Sequence, residues 1–244
     1  MKKNVVINQA RMTSSRLPGK ILKKLHDGKT LLHLQIERLK KSKKIDDIII
    51  ATTCNREDDV VEELAKSMNV KFFRGSEANV LARYYFASKA NPSQYVIRVT
   101  SDCPFIDPEI LDRSIEKYIE SGADYGSNSE FYPNGMNVEI FRSKMLDDAH
   151  HNASKAYERE HVTPYFYTHP EKYTAYSITS EVEYPRYRLT VDTPEDFSLI
   201  REVYKNVSLN KGNDFSLNDI CSFLKAHPEL VKINQNIVQK KYDD

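Results

Sequence analysis

The sequence predicts an α/β protein: a mostly parallel sheet with helices on both faces. Two observations carry this. Short β-branched runs of the kind buried on two faces recur along the chain, and amphipathic helical stretches separate them in at least four strand-helix units. The first run, 4–9, holds Val5, Val6 and Ile7, and the second ends in Ile48, Ile49, Ile50 and Ala51. Between them Leu31, Leu32, Leu34, Ile36 and Leu39 fall mostly on one helical stripe, with Thr30 placed to cap its start. The alternation continues with a helix over 57–68, a strand over 70–73, a helix over 79–90, a strand over 95–100 and a helix over 108–120. Pro108 opens that last helix, where its missing N–H would have no intrahelical partner anyway.

From Ala123 the pattern weakens. Residues 136–141 read as a short strand, followed by a helix from near Ser143 and a polar helical stretch over 155–168 interrupted by Pro164. Strands over 173–178 and 187–191 and a helix over 194–204 close the main body. The expected organisation is one α/β domain over 1–208, with an extension or lid over about 124–180 on the same sheet. A tail over 209–244 follows, with one amphipathic helix near 217–224.

Composition narrows the function. A chain of 244 residues at 40% hydrophobic content buries a full core without disulfides or a structural metal. Lys and Arg number 36 against 35 Asp and Glu, so neither a polyanion-binding protein nor an acidic disordered one is indicated, and any phosphate chemistry must be local. Three widely spaced cysteines, Cys54, Cys103 and Cys221, argue against a disulfide framework or a zinc site. The apolar stretch before Asn8 is too short for a signal-peptide core and no window approaches a membrane span, so a soluble, cytoplasmic protein is expected. Only seven glycines occur, so each is a candidate for a special backbone position.

In open α/β sheets ligands bind beyond the carboxyl ends of the strands. The loop leaving the first strand, QARMTSSRLPGK, carries Arg11, Arg16 and Lys20 among small and hydroxyl residues. Two guanidinium forks and a point charge there suit phosphate oxygens, and Gly19 allows a tight backbone approach; a solvated basic loop is the plainer reading. No GxxxxGK[ST] and no GxGxxG occur, which sets aside a P-loop NTPase and a dinucleotide dehydrogenase. The strand ending at Thr100 runs into Ser101-Asp102-Cys103-Pro104, and a later one into Asp192-Thr193-Pro194. A strand-end aspartate is a good position for Mg²⁺, which favours one or two carboxylates plus phosphate oxygens and water. Asp192 also reads as a helix cap ahead of Pro194, with Thr193 competing for that position.

These motifs resemble a family. QARMTSSRLPGK, the SDCP turn and VDTPEDF together resemble the cytidylyltransferases that make CMP-activated acidic sugars, the CMP-Kdo and CMP-sialic acid synthetases, and most closely their SpsF-like branch of spore coat polysaccharide biosynthesis. That branch shows patterns like Arg74-Gly75-Ser76, Val80-Leu81-Ala82-Arg83 and Arg159-Glu160-His161-Val162-Thr163-Pro164-Tyr165. Gln9 stands where the sialic acid and Kdo enzymes usually have proline, and Ser101 where SpsF-like proteins often have glycine.

The resemblance implies the nucleotide-diphospho-sugar transferase architecture, Rossmann-like, and a homodimer. It implies CTP as substrate, with Arg11, Arg16 and Lys20 on the triphosphate, Ala10 beside the nucleoside, and Arg74, Ser76 and Arg83 near the nucleotide. Asp102 and Asp192 would hold Mg²⁺, so that Arg11, Lys20, Asp102 and Asp192 form the catalytic set. The acceptor would be an acidic sugar or a related hydroxy acid. Asn137 and Glu139, alternating along a short strand, are candidates for its hydroxyls. His161 is a third, or else a packed histidine. The aromatic clusters at 84–86 and 165–167 read as core or dimer packing, and His150-His151 as surface. Two other functions fit an α/β chain of this kind: a nucleotide-sugar-dependent glycosyltransferase, for which DTPED lacks the DxD spacing, and a non-catalytic sugar-binding or assembly protein, which would have lost the loop cations or strand-end acids.

Overall fold

The computed structural model describes residues 2–239. The end of the predicted tail, 240–244, lies outside the described residues. Seven strands form one sheet in the order β3-β2-β1-β4-β6-β5-β7. They are β1 (Lys2–Gln9), β2 (Asp47–Thr53), β3 (Lys71–Gly75), β4 (Ser93–Thr100), β5 (Tyr125–Ser127), β6 (Glu139–Arg142) and β7 (Ala175–Ser177). β1 pairs in parallel with β2 and with β4, and β2 with β3; β6 runs antiparallel to both β4 and β5.

Alternation along the strands explains the two helical layers. On β1, Val6 joins one core with Leu32, Ile36, Leu111 and Ile115, from α1 (Leu31–Leu39) and α4 (Pro108–Ser121). Its neighbours Val5 and Ile7 join the opposite core with Leu81, Tyr84 and Leu146, from α3 (Val80–Ala90) and α5 (Met145–Asn152). α2 (Asp59–Ser67) adds Val61 and Ala65 to the first layer. Both faces of the sheet are thus covered, as a run of consecutive buried β-branched residues demands.

The caps follow the sequence. Thr30 accepts from the His33 N–H at 3.2 Å, and Asp107 accepts from Glu109 N at 2.9 Å ahead of Pro108. Asp107 also accepts from Leu217 N at 2.7 Å, which ties α9 (Leu217–Ala226) to the body. Buried Arg38 does the same for the preceding turn: Nε donates to Ile106 O at 2.9 Å, NH1 to Asn213 O at 2.9 Å, and the guanidinium lies 4.0 Å from the Phe215 ring centroid. Its burial draws the guanidinium pKa down to about 10.

Three expected elements differ. No strand forms over 187–191. One isolated bridge joins Arg188 to Asn134, and the segment spends its N–H groups on loops, Leu189 on Asn134 O at 2.7 Å and Val191 on Asp102 O at 2.8 Å. The helical stretch over 155–168 is two helices, α6 (Ala156–His161) and α7 (Pro164–Tyr167), broken at fully buried Val162 with φ 70 before Pro164 is reached. Asn137 lies ahead of β6 rather than within it, its Oδ1 accepting from Gly135 N at 2.9 Å. Tyr84, Tyr165 and Phe166 are core residues, whereas Phe86 is half exposed. His150 stacks on Tyr85, with ring centroids 4.2 Å apart and planes 6° from parallel.

Candidate active site

β1 lies where the strand order reverses, with β2 and β3 on one side and β4 on the other, and a cavity of about 590 Å³ opens beyond the carboxyl ends of β1 and β4. The loop after β1 forms one wall. Buried Asp58 anchors it by accepting from Met12 N at 2.7 Å, and Gly19 N donates back to Met12 O at 2.9 Å. Gly19 has φ 67, and a Cβ there would stand 3.3 Å from the Met12 methyl, so this doubled-back turn favours glycine. The turn delivers Lys20 into the cavity.

Lys20 Nζ meets Asp192 Oδ1 at 2.8 Å, Asp102 Oδ2 at 3.2 Å and Val191 O at 2.7 Å. Burial disfavours its charge, but the two carboxylates outweigh burial and raise its pKa. For Asp102, burial pushes the carboxyl up, and the Lys20 charge with the Thr100 and Lys20 hydrogen bonds brings it below the ordinary value. Arg16 NH2 and Arg188 NH2 each reach Asp192 Oδ2 at 3.0 Å. Thr193 takes the cap of α8 (Pro194–Lys211), accepting from Asp196 N at 3.3 Å, and this leaves Asp192 free to face the cavity. The two acidic loops are stitched together, since Asp102 O accepts from both Val191 N and the Thr190 hydroxyl.

Gly135 sets the other wall. With φ 105, any Cβ there would lie 2.5 Å from the carbonyl carbon of Leu189, so only glycine lets this loop close on the segment that carries Asp192.

The expected nucleotide residues divide. Ala10, Arg11, Arg16, Lys20 and Arg83 line the cavity. Arg11 NH1 lies 3.5 Å from Glu77 Oε1. Arg83 is 2% exposed; NH1 donates to Ser76 O at 3.0 Å and Nε has no partner among the described residues. Burial, with Arg11 nearby, lowers its pKa. Arg74 and Ser76 do not line the cavity. Arg74 binds Thr53 O and Asn55 O at 2.8 Å each and pairs with Asp59 and Glu62 at 2.7 and 2.9 Å, while the Ser76 hydroxyl accepts from Asn79 N at 3.1 Å.

The expected acceptor residues divide as well. Asn137 and His161 line the cavity, and Glu139 stands behind it, paired with Arg98 and accepting from the Tyr125 hydroxyl at 2.6 Å. Burial lowers the His161 pKa, Glu160 and Glu139 oppose that shift, and Arg98 adds to it. Residues not singled out from sequence also line the cavity: Arg98, Asn134, Glu160, Thr190 and Gln239. Arg98 had a signal, a charged residue inside an otherwise apolar strand; its NH2 donates to Gln9 Oε1 at 3.2 Å.

A polyanion would meet several cations here, and two carboxylates from separate loops converge among them. Those hard oxygen donors suit Mg²⁺ with phosphate and water oxygens completing its shell. Among the described residues no group of three or more His, Cys, Asp or Glu could hold an ion without such help.

The profile of the cytidylyltransferases matches residues 5–218. The chain belongs to the cytidylyltransferase family. It is 40% identical to an uncharacterised Methanocaldococcus jannaschii protein, MJ1063, over 98% of each chain. It is 33% identical to the Bacillus subtilis spore coat polysaccharide biosynthesis protein SpsF over 91% of this chain and 94% of that one. A 3-deoxy-manno-octulosonate cytidylyltransferase of Chloroherpeton thalassium is 35% identical over 50% of this chain and 48% of its own. Among solved structures, a cytidylyltransferase from Leptospira borgpetersenii superposes with a TM-score of 0.87 at 33% identity, over 99% of this chain and all of that one. Membership of this family makes the protein a CTP-dependent nucleotidyltransferase and sets aside a non-catalytic role. Among the described residues no helix is long and apolar enough to cross a membrane.

Proposed function

We propose that the protein is a Mg²⁺-dependent cytidylyltransferase of the cytoplasm that couples CTP to an acidic sugar or related hydroxy acid, giving the CMP-linked product and pyrophosphate for surface polysaccharide synthesis. The observation that carries this reading is Lys20 between Asp102 and Asp192, with Arg16 on Asp192, in the cavity that Arg11 also lines. An acceptor oxygen attacks the α-phosphorus in line and pyrophosphate leaves, so catalysis is positioning plus neutralisation of phosphate charge. Arg11, Arg16 and Lys20 bind the triphosphate and stabilise the departing pyrophosphate, and Ala10, almost fully buried, packs beside the nucleoside. Asp102 and Asp192 hold Mg²⁺, which when bound neutralises phosphate charge and lowers the pKa of the attacking hydroxyl.

Arg83 joins the nucleotide side of the cavity. Asn137 and His161 face the acceptor, and Glu139 acts on it through Arg98. Arg74 and Ser76 carry structural roles, by the contacts described above. A homodimer completes the proposal, with half-exposed Phe86 beside Tyr85 as a face for it.

The test is pyrophosphate release from each of the four NTPs with Mg²⁺ and a panel of acidic sugars. Release specific to CTP and to an acidic acceptor is expected. Turnover of a nucleotide diphosphate sugar alone would replace this reading with a glycosyltransferase.

A further inference from the structure

The family match ends at residue 218, yet the chain beyond it returns to the site. After α10 (Pro228–Val231), Asn234 is 2% exposed and spends both amide hydrogens inward, on Asp196 Oδ1 at 2.8 Å and on Arg188 O at 3.0 Å. Asp196 is fully buried. Its Oδ2 accepts from the backbone N–H of Asp192 at 2.9 Å and from Arg188 NH2 at 2.9 Å, and the same Arg188 nitrogen reaches Asp192 Oδ2 at 3.0 Å. The backbone and the carboxylate of Asp192 are therefore both held by the Arg188–Asp196 pair, and Asn234 supports that pair from behind. Gln239, on the cavity wall, binds Arg188 NH1 and accepts from Asn134 Nδ2 at 3.1 Å. Apolar packing of Leu230, Val231 and Ile233 would dock this segment without any of these bonds. A buried amide whose two donors fall on the groups that orient Asp192 is a more specific arrangement than docking needs.

We propose that the segment 232–239 is a working part of the site, with Asn234 as a positioning residue that aims Asp192 through Asp196 and Arg188. The inference rests on the reading of Asp192 as a holder of Mg²⁺ beside CTP. It ascribes to Asn234 the metal-dependent part of CTP binding, and leaves the metal-independent part to Arg11, Arg16 and Lys20.

The experiment is calorimetric titration of CTP into the full chain, Asn234→Ala and Gln239→Ala, each with Mg²⁺ and with EDTA. The unaltered protein is expected to bind CTP more tightly with Mg²⁺. Asn234→Ala should lose about tenfold of that enhancement, as supporting contacts behind metal ligands commonly give, while binding in EDTA stays within about twofold. Gln239→Ala, which leaves the carboxylate contacts of Arg188 in place, should lose about threefold. Either an unchanged enhancement with a lowered melting temperature, or equal losses with and without Mg²⁺, overturns the inference alone. Should Asn234→Ala not fold, Gln239→Ala decides by the same criterion. If CTP affinity of the unaltered protein ignores Mg²⁺, the magnesium reading fails and the inference falls with it.

Discussion

The two ends of the cavity are built differently. At the end proposed for the nucleotide, Ala10, Arg11, Arg16 and Lys20 come from one loop of a parallel strand, and Asp102 follows the strand beside it. At the end proposed for the acceptor, Asn137, Glu160 and His161 come from an antiparallel margin and a broken helix. The cations of the first end are a local device, set by a short motif beside a buried strand, with Arg83 and Asp192 reaching the same end from farther along the chain. The second is assembled from segments far apart in the chain. The difference teaches that the proposed triphosphate grip is set mainly by one short motif, whereas the proposed acceptor wall forms only when separate segments fold together.

Substitutions test that division. At the nucleotide end, Asp102→Asn and Asp192→Asn should each lower turnover at least ~100-fold in pyrophosphate release, corresponding to about 3 kcal/mol of transition-state stabilisation. Near-normal turnover in both would erase the distinction. Behind the acceptor end, Glu139→Gln leaves Arg98 buried without its partner and should cost about 3 kcal/mol of stability in a denaturant melt. A cost below about 1 kcal/mol would place the pair in solvent-like surroundings.

A smaller effect is expected from pH. Burial holds the His161 pKa below its ordinary 6.5, so the unfolded chain takes up a proton first as pH falls. The stability of neutral His161 is therefore full above 6.5 and declines as pH drops through that value toward the folded pKa. His161→Gln should flatten the melting-temperature profile between about pH 7 and 5, and an unaltered slope would assign the decline to other groups. Least affected should be CTP binding by Arg74→Ala, within about twofold in the same titration, because its partners lie outside the cavity. A tenfold loss there would extend the nucleotide end to β3.

Much of the nucleotide end was legible in the sequence because it depends on spacing along one strand and its loop. Arg11, Arg16 and Lys20 were placed by position after the first β-branched run, and Asp102 by its place after another. Arg74 also follows the run 70–73 that reads as a strand, although it lies within β3, and spacing alone could not separate it from Arg11. What separates them is that Asp59 and Glu62, one helical turn apart on α2, take up its charge. The aromatic and β-branched content of 187–191 read as a strand, but the hydrogen-bonding partners are loops, which local pattern does not reveal. Asn234 had no signal at all, since one of two nearby asparagines in a mixed tail looks like solvent-facing surface until the fold buries it against Asp196.

The bridge made by Lys20 bears on the order in which reactants arrive. With Lys20, Arg16 and Arg188 set against Asp102 and Asp192, the acids have no surplus of negative charge with which to recruit a bare divalent ion. A polyphosphate, by drawing Arg16 and Lys20 onto its own oxygens, would release the acids and so create the ion's seat on entering.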